Sequence, residues 1–91
     1  MKNHNDDYFT SYLPALDLHG ETKDSISFLI NDFINDNYIL KNEKLLIIHG
    51  IGTGTLKYET IKVLKKNKLV KSFHLNMFNE GCTVVYIRCK T

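Results

Sequence analysis

The sequence predicts a small α/β domain, a single β-α-β-α-β-β sandwich with a four-stranded mixed sheet and two helices. Three observations carry this expectation. Two short apolar segments, Ala15–His19 and Leu45–Ile48, each run into glycine and then into a helical stretch. The stretch after the first places Ile26, Leu29, Ile30, Phe33 and Ile34 at the spacing of one helical face. The last third changes to alternating and β-branched residues. Ninety-one residues with 43% hydrophobic composition suit one globular domain rather than several.

Taken in order, residues 1–14 show no periodicity and end at Pro14. They read as an N-terminal arm, with Tyr8, Phe9 and Tyr12 available to pin it onto the body, and residues 15–91 form the domain. Ala15–His19, apolar apart from Asp17, reads as a buried strand stopped by Gly20. Thr22 is the expected N-cap of the first helix, and Asp24 suits the positive end of its dipole. Asn37 and the polar Lys41-Asn42-Glu43 mark the helix end and the return loop. Leu45–Ile48 is the second strand, followed by His49 and the loop Gly50-Ile51-Gly52-Thr53-Gly54. The second helix, Thr55 to Asn67, turns Leu56, Thr60, Val63 and Leu64 inward and Tyr58, Lys62, Lys65 and Lys66 outward. Val70 to Met77 alternates, with Phe73, Leu75 and Met77 on one side and Ser72, His74 and Asn76 on the other. Asn79-Glu80-Gly81 reads as a turn and Thr83 to Cys89 as the last strand. Right-handed crossovers make the early strands parallel, and the final pair forms an antiparallel hairpin.

Composition narrows the class. No apolar stretch approaches the roughly 20 residues that span a bilayer, and the polar start offers no signal peptide, so the expected location is cytoplasmic, with no membrane partner. Cys82 and Cys89 are separated by an odd number of residues within one expected strand. They therefore face opposite ways, cannot pair, lack metal-ligand spacing, and read as buried or half-buried thiols. Net charge is only +2, but it is divided: −5 from Met1 to Glu43 and +7 from Lys44 to Thr91. The second half is a candidate anion-binding surface, or simply a solvated lysine face.

The chemistry lies in an echo. Leu16-Asp17-Leu18-His19-Gly20 and Leu46-Ile47-Ile48-His49-Gly50 are both apolar strands ending in histidine and glycine before a helix. Parallel strands end at one sheet edge, where ligands of open α/β sheets bind, so His19 and His49 can share a crevice. Asp17, two residues before His19, can accept from its ring N–H and support its basicity, or can hold a divalent cation. A lone strand-end histidine ordinarily plays no chemical part; two of them with an aspartate favour a site. His4 and His74 lack that setting. Alternating glycines at Gly50, Gly52 and Gly54 permit positive φ and close backbone approach. Free N–H groups there, with Thr53, a helix N-terminus and Lys57, suit an anion. A dinucleotide cofactor is excluded: no acidic residue ends the next strand, and the chain is too short for two nucleotide-binding halves.

Those two segments, with His49 to Lys57 lying about 30 residues after the first, resemble the LDLHG and HGxGTGxL-(Arg/Lys) boxes of the Smr (small MutS-related) domain family. Gly81-Cys82-Thr83-Val84-Val85 is similar to the family's closing turn and strand, and the resemblance covers about Leu16 to Arg88. Ile51 departs from it, standing where many members carry Lys or Arg. The resemblance implies binding to DNA or RNA, phosphodiester cleavage in many members, and for some a role at ribosomes. It assigns cleavage to Asp17 and His19, and binding and activity to His49, Gly50, Gly52, Thr53 and Gly54.

The mechanism these readings support has the loop amides and Lys57 holding a phosphate. His19, oriented by Asp17, removes a proton, while His49 transfers a second proton or contacts phosphate. Lys62 and Lys65 supply further phosphate contacts. On RNA the nucleophile can be the 2′-hydroxyl without a metal; on DNA it is water, and a divalent metal at Asp17 then gains weight. The alternative is a nucleic-acid- or ribosome-docking module without turnover.

Overall fold

The computed structural model describes residues 13–52 and 54–90. Its elements run β1 (Ala15–Asp17), α1 (Lys23–Ile39), β2 (Lys44–Ile48), α2 (Thr55–Lys66), β3 (Val70–Asn76) and β4 (Asn79–Ile87). The strands form one mixed sheet in the order β1-β2-β4-β3. β1 and β2 are parallel, as a strand–helix–strand crossover demands, and β4 is antiparallel to both of its neighbours. The α/β class, two helices and mixed four-stranded sheet agree with the expectation from sequence.

Both helices cover the same sheet face. Ile26, Ile30 and Ile34 of α1 and Val63 and Leu64 of α2 pack with Leu45, Ile47, Val85 and Ile87. Alternation along the strands turns Leu46, Cys82 and Val84 to the other face, where Leu13, Ile48 and Tyr86 adjoin them. The chain before β1 is tied there, since the Leu46 N–H donates to the Pro14 carbonyl at 2.9 Å. The remainder of the expected arm, residues 1–12, lies outside the described residues. Among those described, no helix is long and apolar enough to cross a membrane.

Several boundaries differ from expectation. β1 ends at Asp17 rather than His19, because the chain turns at once, with the Glu21 N–H donating to the Leu18 carbonyl at 3.0 Å. Thr22 is the N-cap by position, but its hydroxyl caps nothing. The Ser25 hydroxyl instead lies 3.0 Å from the Thr22 carbonyl and 3.1 Å from Glu21 Oε1. Asn37 does not end α1. It is buried, its amide donating to the Phe33 carbonyl and accepting from Asn42 at 2.8 Å each, so the helix continues to Ile39.

The hairpin turn is Met77-Phe78, and Asn79, Glu80 and Gly81 belong to β4. Phe73 packs on the core as expected, but Leu75 and Met77 are exposed and Asn76 is buried. Register shifts between Val70 and Ser72 and between Leu75 and Asn76 break the regular alternation. Cys82 is a buried strand residue, whereas Cys89 lies beyond β4 and is exposed, a correction to its expected burial.

Ile30 is fully buried at the centre of the helix–sheet layer. Ile30→Ala should cost about 2–5 kcal/mol in urea unfolding. A loss below about 0.5 kcal/mol, the range of surface changes, would contradict this packing.

Candidate functional site

The parallel pair delivers Asp17 and Ile48 to the same sheet edge as register partners. The two chains then diverge, β1 into the turn carrying His19 and Gly20, β2 into His49 and the glycine loop. Asp17, His19, Gly20, Ile48, His49, Gly50, Gly52 and Leu56 line one open crevice of about 570 Å³. It wraps around the sheet end. Asp17 reaches it from the helix-free face, which it shares with Ile48 and Cys82, and His49 from the face under the helices. Burial and the Asp17 charge both push the Cys82 thiol up, so that group stays protonated.

His19 is exposed at the rim. The Asp17 carboxylate does not touch its ring; Oδ1 accepts the His19 backbone N–H at 2.9 Å. Asp17 thus closes an aspartate turn that fixes where His19 leaves the strand. This geometry differs from the expected carboxylate–imidazole contact. The strand ends at Asp17, so the two side chains no longer follow strand alternation.

His49 is 5% exposed, and both ring nitrogens are engaged. Nδ1 lies 3.0 Å from the Gly50 carbonyl and Nε2 2.8 Å from the Thr83 hydroxyl. A carbonyl only accepts, so Nδ1 carries the proton. Burial pushes the imidazole below its usual value, the Gly50 contact partly opposes this, and Lys57 adds to the lowering. The ring is therefore neutral near pH 7, and the Thr83 hydroxyl donates to Nε2. His49 and His19 share the crevice, but His49 spends its polar atoms on the loop and on β4.

The loop is held from the opposite side by Gly81, whose carbonyl accepts from both the His49 and Gly50 N–H groups at 2.9 Å. A Cβ on Gly81 would lie 3.3 Å from Gly50, tighter than packing readily accepts. Gly54 is the N-cap of α2 with φ 87°, a left-handed conformation that costs an L-residue about 1–2 kcal/mol. With the Gly50 amide taken, the N–H groups of Ile51, Gly52 and Gly54 have no acceptor among the described residues. They lie at the start of α2, where the helix dipole favours an anion. Lys57, in the first turn, joins Gly50, Gly52, Gly54 and Leu56 around a smaller adjoining hollow. Thr53 lies outside the described residues.

Lys62 and Lys65 are not part of this assembly. Lys62 lies 3.8 Å from Glu59 and over the Tyr58 ring, and it lines a groove between the helices with Asn31 and Asn67. Lys65 is exposed, eight residues beyond Lys57, about 12 Å along the axis at 1.5 Å per residue. Gly81 and Thr83 are the site residues that sequence reasoning missed as such. The close approach of a strand glycine to another backbone was the available signal.

A family model described as the Smr domain matches residues 16–88. Endonuclease MutS2 of Caldanaerobacter subterraneus subsp. tengcongensis is 39% identical over 71 residues, which cover 78% of this chain and 9% of that protein. The chain thus spans about a tenth of that relative's length. The crystal structure of the Smr domain of Thermus thermophilus MutS2 superposes with a TM-score of 0.80 and 28% identity, covering 84% of this chain and 99% of that one. YdaL, a stand-alone small MutS-related protein from Escherichia coli, shares the fold with a TM-score of 0.78 and 15% identity, over 97% of this chain and 81% of its own. With the matched segment running from β1 through β4, the chain belongs to the Smr domain family.

Proposed function

We propose that this domain binds nucleic acid across the crevice and cleaves a phosphodiester bond held there. One observation carries the reading: Asp17, His19 and the glycine loop line a single crevice beside Lys57. Likeness to proteins named as MutS2 endonucleases supports it. The proposed partners are DNA or RNA, including RNA of the ribosome, and the proposed setting is the cytoplasm.

In this mechanism the N–H groups of Ile51, Gly52 and Gly54 and the Lys57 ammonium receive the phosphate oxygens. Donors already in place stabilise charge as it develops on phosphorus oxygens. His19, the exposed imidazole, takes the proton of the attacking oxygen. In RNA that oxygen is the neighbouring 2′-hydroxyl. Its bond to phosphorus forms as the bond to the 5′-oxygen breaks, leaving a cyclic phosphate, and the departing oxygen takes a proton from the imidazolium. In DNA the attacking oxygen belongs to water. Asp17 is a positioning residue acting through the His19 backbone, and His49 braces the loop. Among the described residues no three or more His, Cys, Asp or Glu side chains cluster as a metal site, and Asp17 is the carboxylate at the crevice that a divalent cation would meet.

One observation favours the second reading, a docking module without turnover: among the described residues the His19 ring has no carboxylate partner, and Asp17 Oδ1 accepts the backbone N–H instead. Cleavage of matched DNA and RNA by purified protein separates the two. His19→Ala should lower cleavage by about 10²- to 10⁴-fold with binding retained. Asp17→Asn, which keeps an oxygen acceptor for the His19 N–H, should lose much less than Asp17→Ala. If folded His19→Ala cleaves as fast as wild type, the docking module replaces the enzyme.

His49 gives a pH test. Its folded-state pKa lies below 6.5, so the unfolded chain binds the proton more readily. The stabilisation is complete above pH 6.5 and is lost as pH falls from there through the folded value. Urea midpoints at about pH 7.5 and about pH 5.5 should show this drop in wild type and a smaller one in His49→Asn. Equal drops would show that His49 is not the group responsible.

A further inference from the structure

We infer that Met77 and Phe78 at the β3–β4 hairpin tip, with Ile51 of the glycine loop, form a stacking platform for an unpaired base. This rests on the nucleic-acid reading above and specifies its substrate class as single-stranded. Met77 is 76% exposed, Phe78 56% and Ile51 68%. Two-residue hairpin turns favour Asn-Gly or Asp-Gly, whose positive φ matches strand twist. Here the turn residues are large and apolar, and neither has positive φ. Asparagines brace the turn and the start of β4 instead. Asn76 Oδ1 accepts the Phe78 N–H at 2.8 Å, and Asn79 Oδ1 accepts the Gly81 N–H at 2.9 Å. Folding therefore makes no demand for apolar side chains at 77 and 78, and water is a poor surrounding for them.

Their position supplies the purpose. The tip ends three residues before Gly81, whose carbonyl takes the His49 and Gly50 N–H groups, so it lies at the same end of the sheet as the loop proposed to hold phosphate. A phosphate in that loop leaves its attached nucleoside within this neighbourhood. Apolar and aromatic surfaces beside a phosphate site accept base faces irrespective of sequence. Duplex bases already cover those faces by stacking on one another, so only an unpaired base can use the platform.

The chain contains no tryptophan, so Phe78→Trp introduces a single reporter. A single-stranded thymidine or uridine oligomer of about ten nucleotides, within the span of known single-strand sites, should quench it. The same sequence in duplex should quench it far less. Phe78→Ser, with its urea midpoint unchanged, should weaken single-strand binding by about 5- to 150-fold, the range for one stacked base. The slope of log K against log salt should stay constant, since no phosphate contact is lost. Unchanged single-strand affinity in Phe78→Ser, or unquenched tryptophan in a complex that forms, overturns the platform while leaving the crevice intact. A Phe78→Ser effect confined to self-association or to binding lipid vesicles also overturns it. If wild type binds neither strand form, the nucleic-acid reading itself falls and takes the platform with it.

Discussion

Because β1 and β2 run parallel, the chain must return between them through α1, and both strands end at one edge of the sheet. The pairing is short, with three register partners, extended by the Leu18 N–H donating to the Ile48 carbonyl at 2.8 Å. Yet it sets the positions of Asp17 and His19 against His49 and the glycine loop, which are separated by about 30 residues of chain. The apolar face of α1 and its fully buried Ile26, Ile30 and Ile34 hold that geometry. The crevice is thus a consequence of packing made at some distance from it.

A second layer of support comes from β4. Backbone N–H groups of His49 and Gly50 converge on one carbonyl of Gly81, and the His49 ring closes the arrangement through Thr83. A buried polar group left without a partner costs about 1–3 kcal/mol, so these contacts resist distortion of the loop. Among the described residues they leave the amides of Ile51, Gly52 and Gly54 unmatched, next to a helix start and a lysine. Thr60 is, among the described residues, the buried side chain whose polar atom lacks a partner, whereas the loop amides at the crevice stay available for a ligand.

Much of this was legible in the sequence. Helical spacing in α1, apolar runs before His-Gly and alternating glycines each report a local rule that the tertiary structure obeys. The rest depended on partners distant in the chain. Nothing local says that His49 meets Thr83, 34 positions on, or that Gly81 abuts Gly50. Asn37 looked like a helix stop because asparagine favours ends and turns, but a buried amide network with Asn42 overrides that preference. Asp17 and His19 followed strand alternation only on paper, since β1 stops between them. The hairpin tip carries no local turn signal, because Met-Phe is poor turn chemistry, and such a local violation is where function is expected to show.

The central claim is that the sheet edge, rather than the lysine face of α2, receives the phosphate. Amide chemical-shift mapping of the labelled protein during titration with a short oligonucleotide tests it most directly. The account requires the largest shifts at Ile51, Gly52, Gly54, Lys57 and the His19 turn. Shifts confined to Lys62, Lys65 and the groove between the helices, with the loop unmoved, would contradict it.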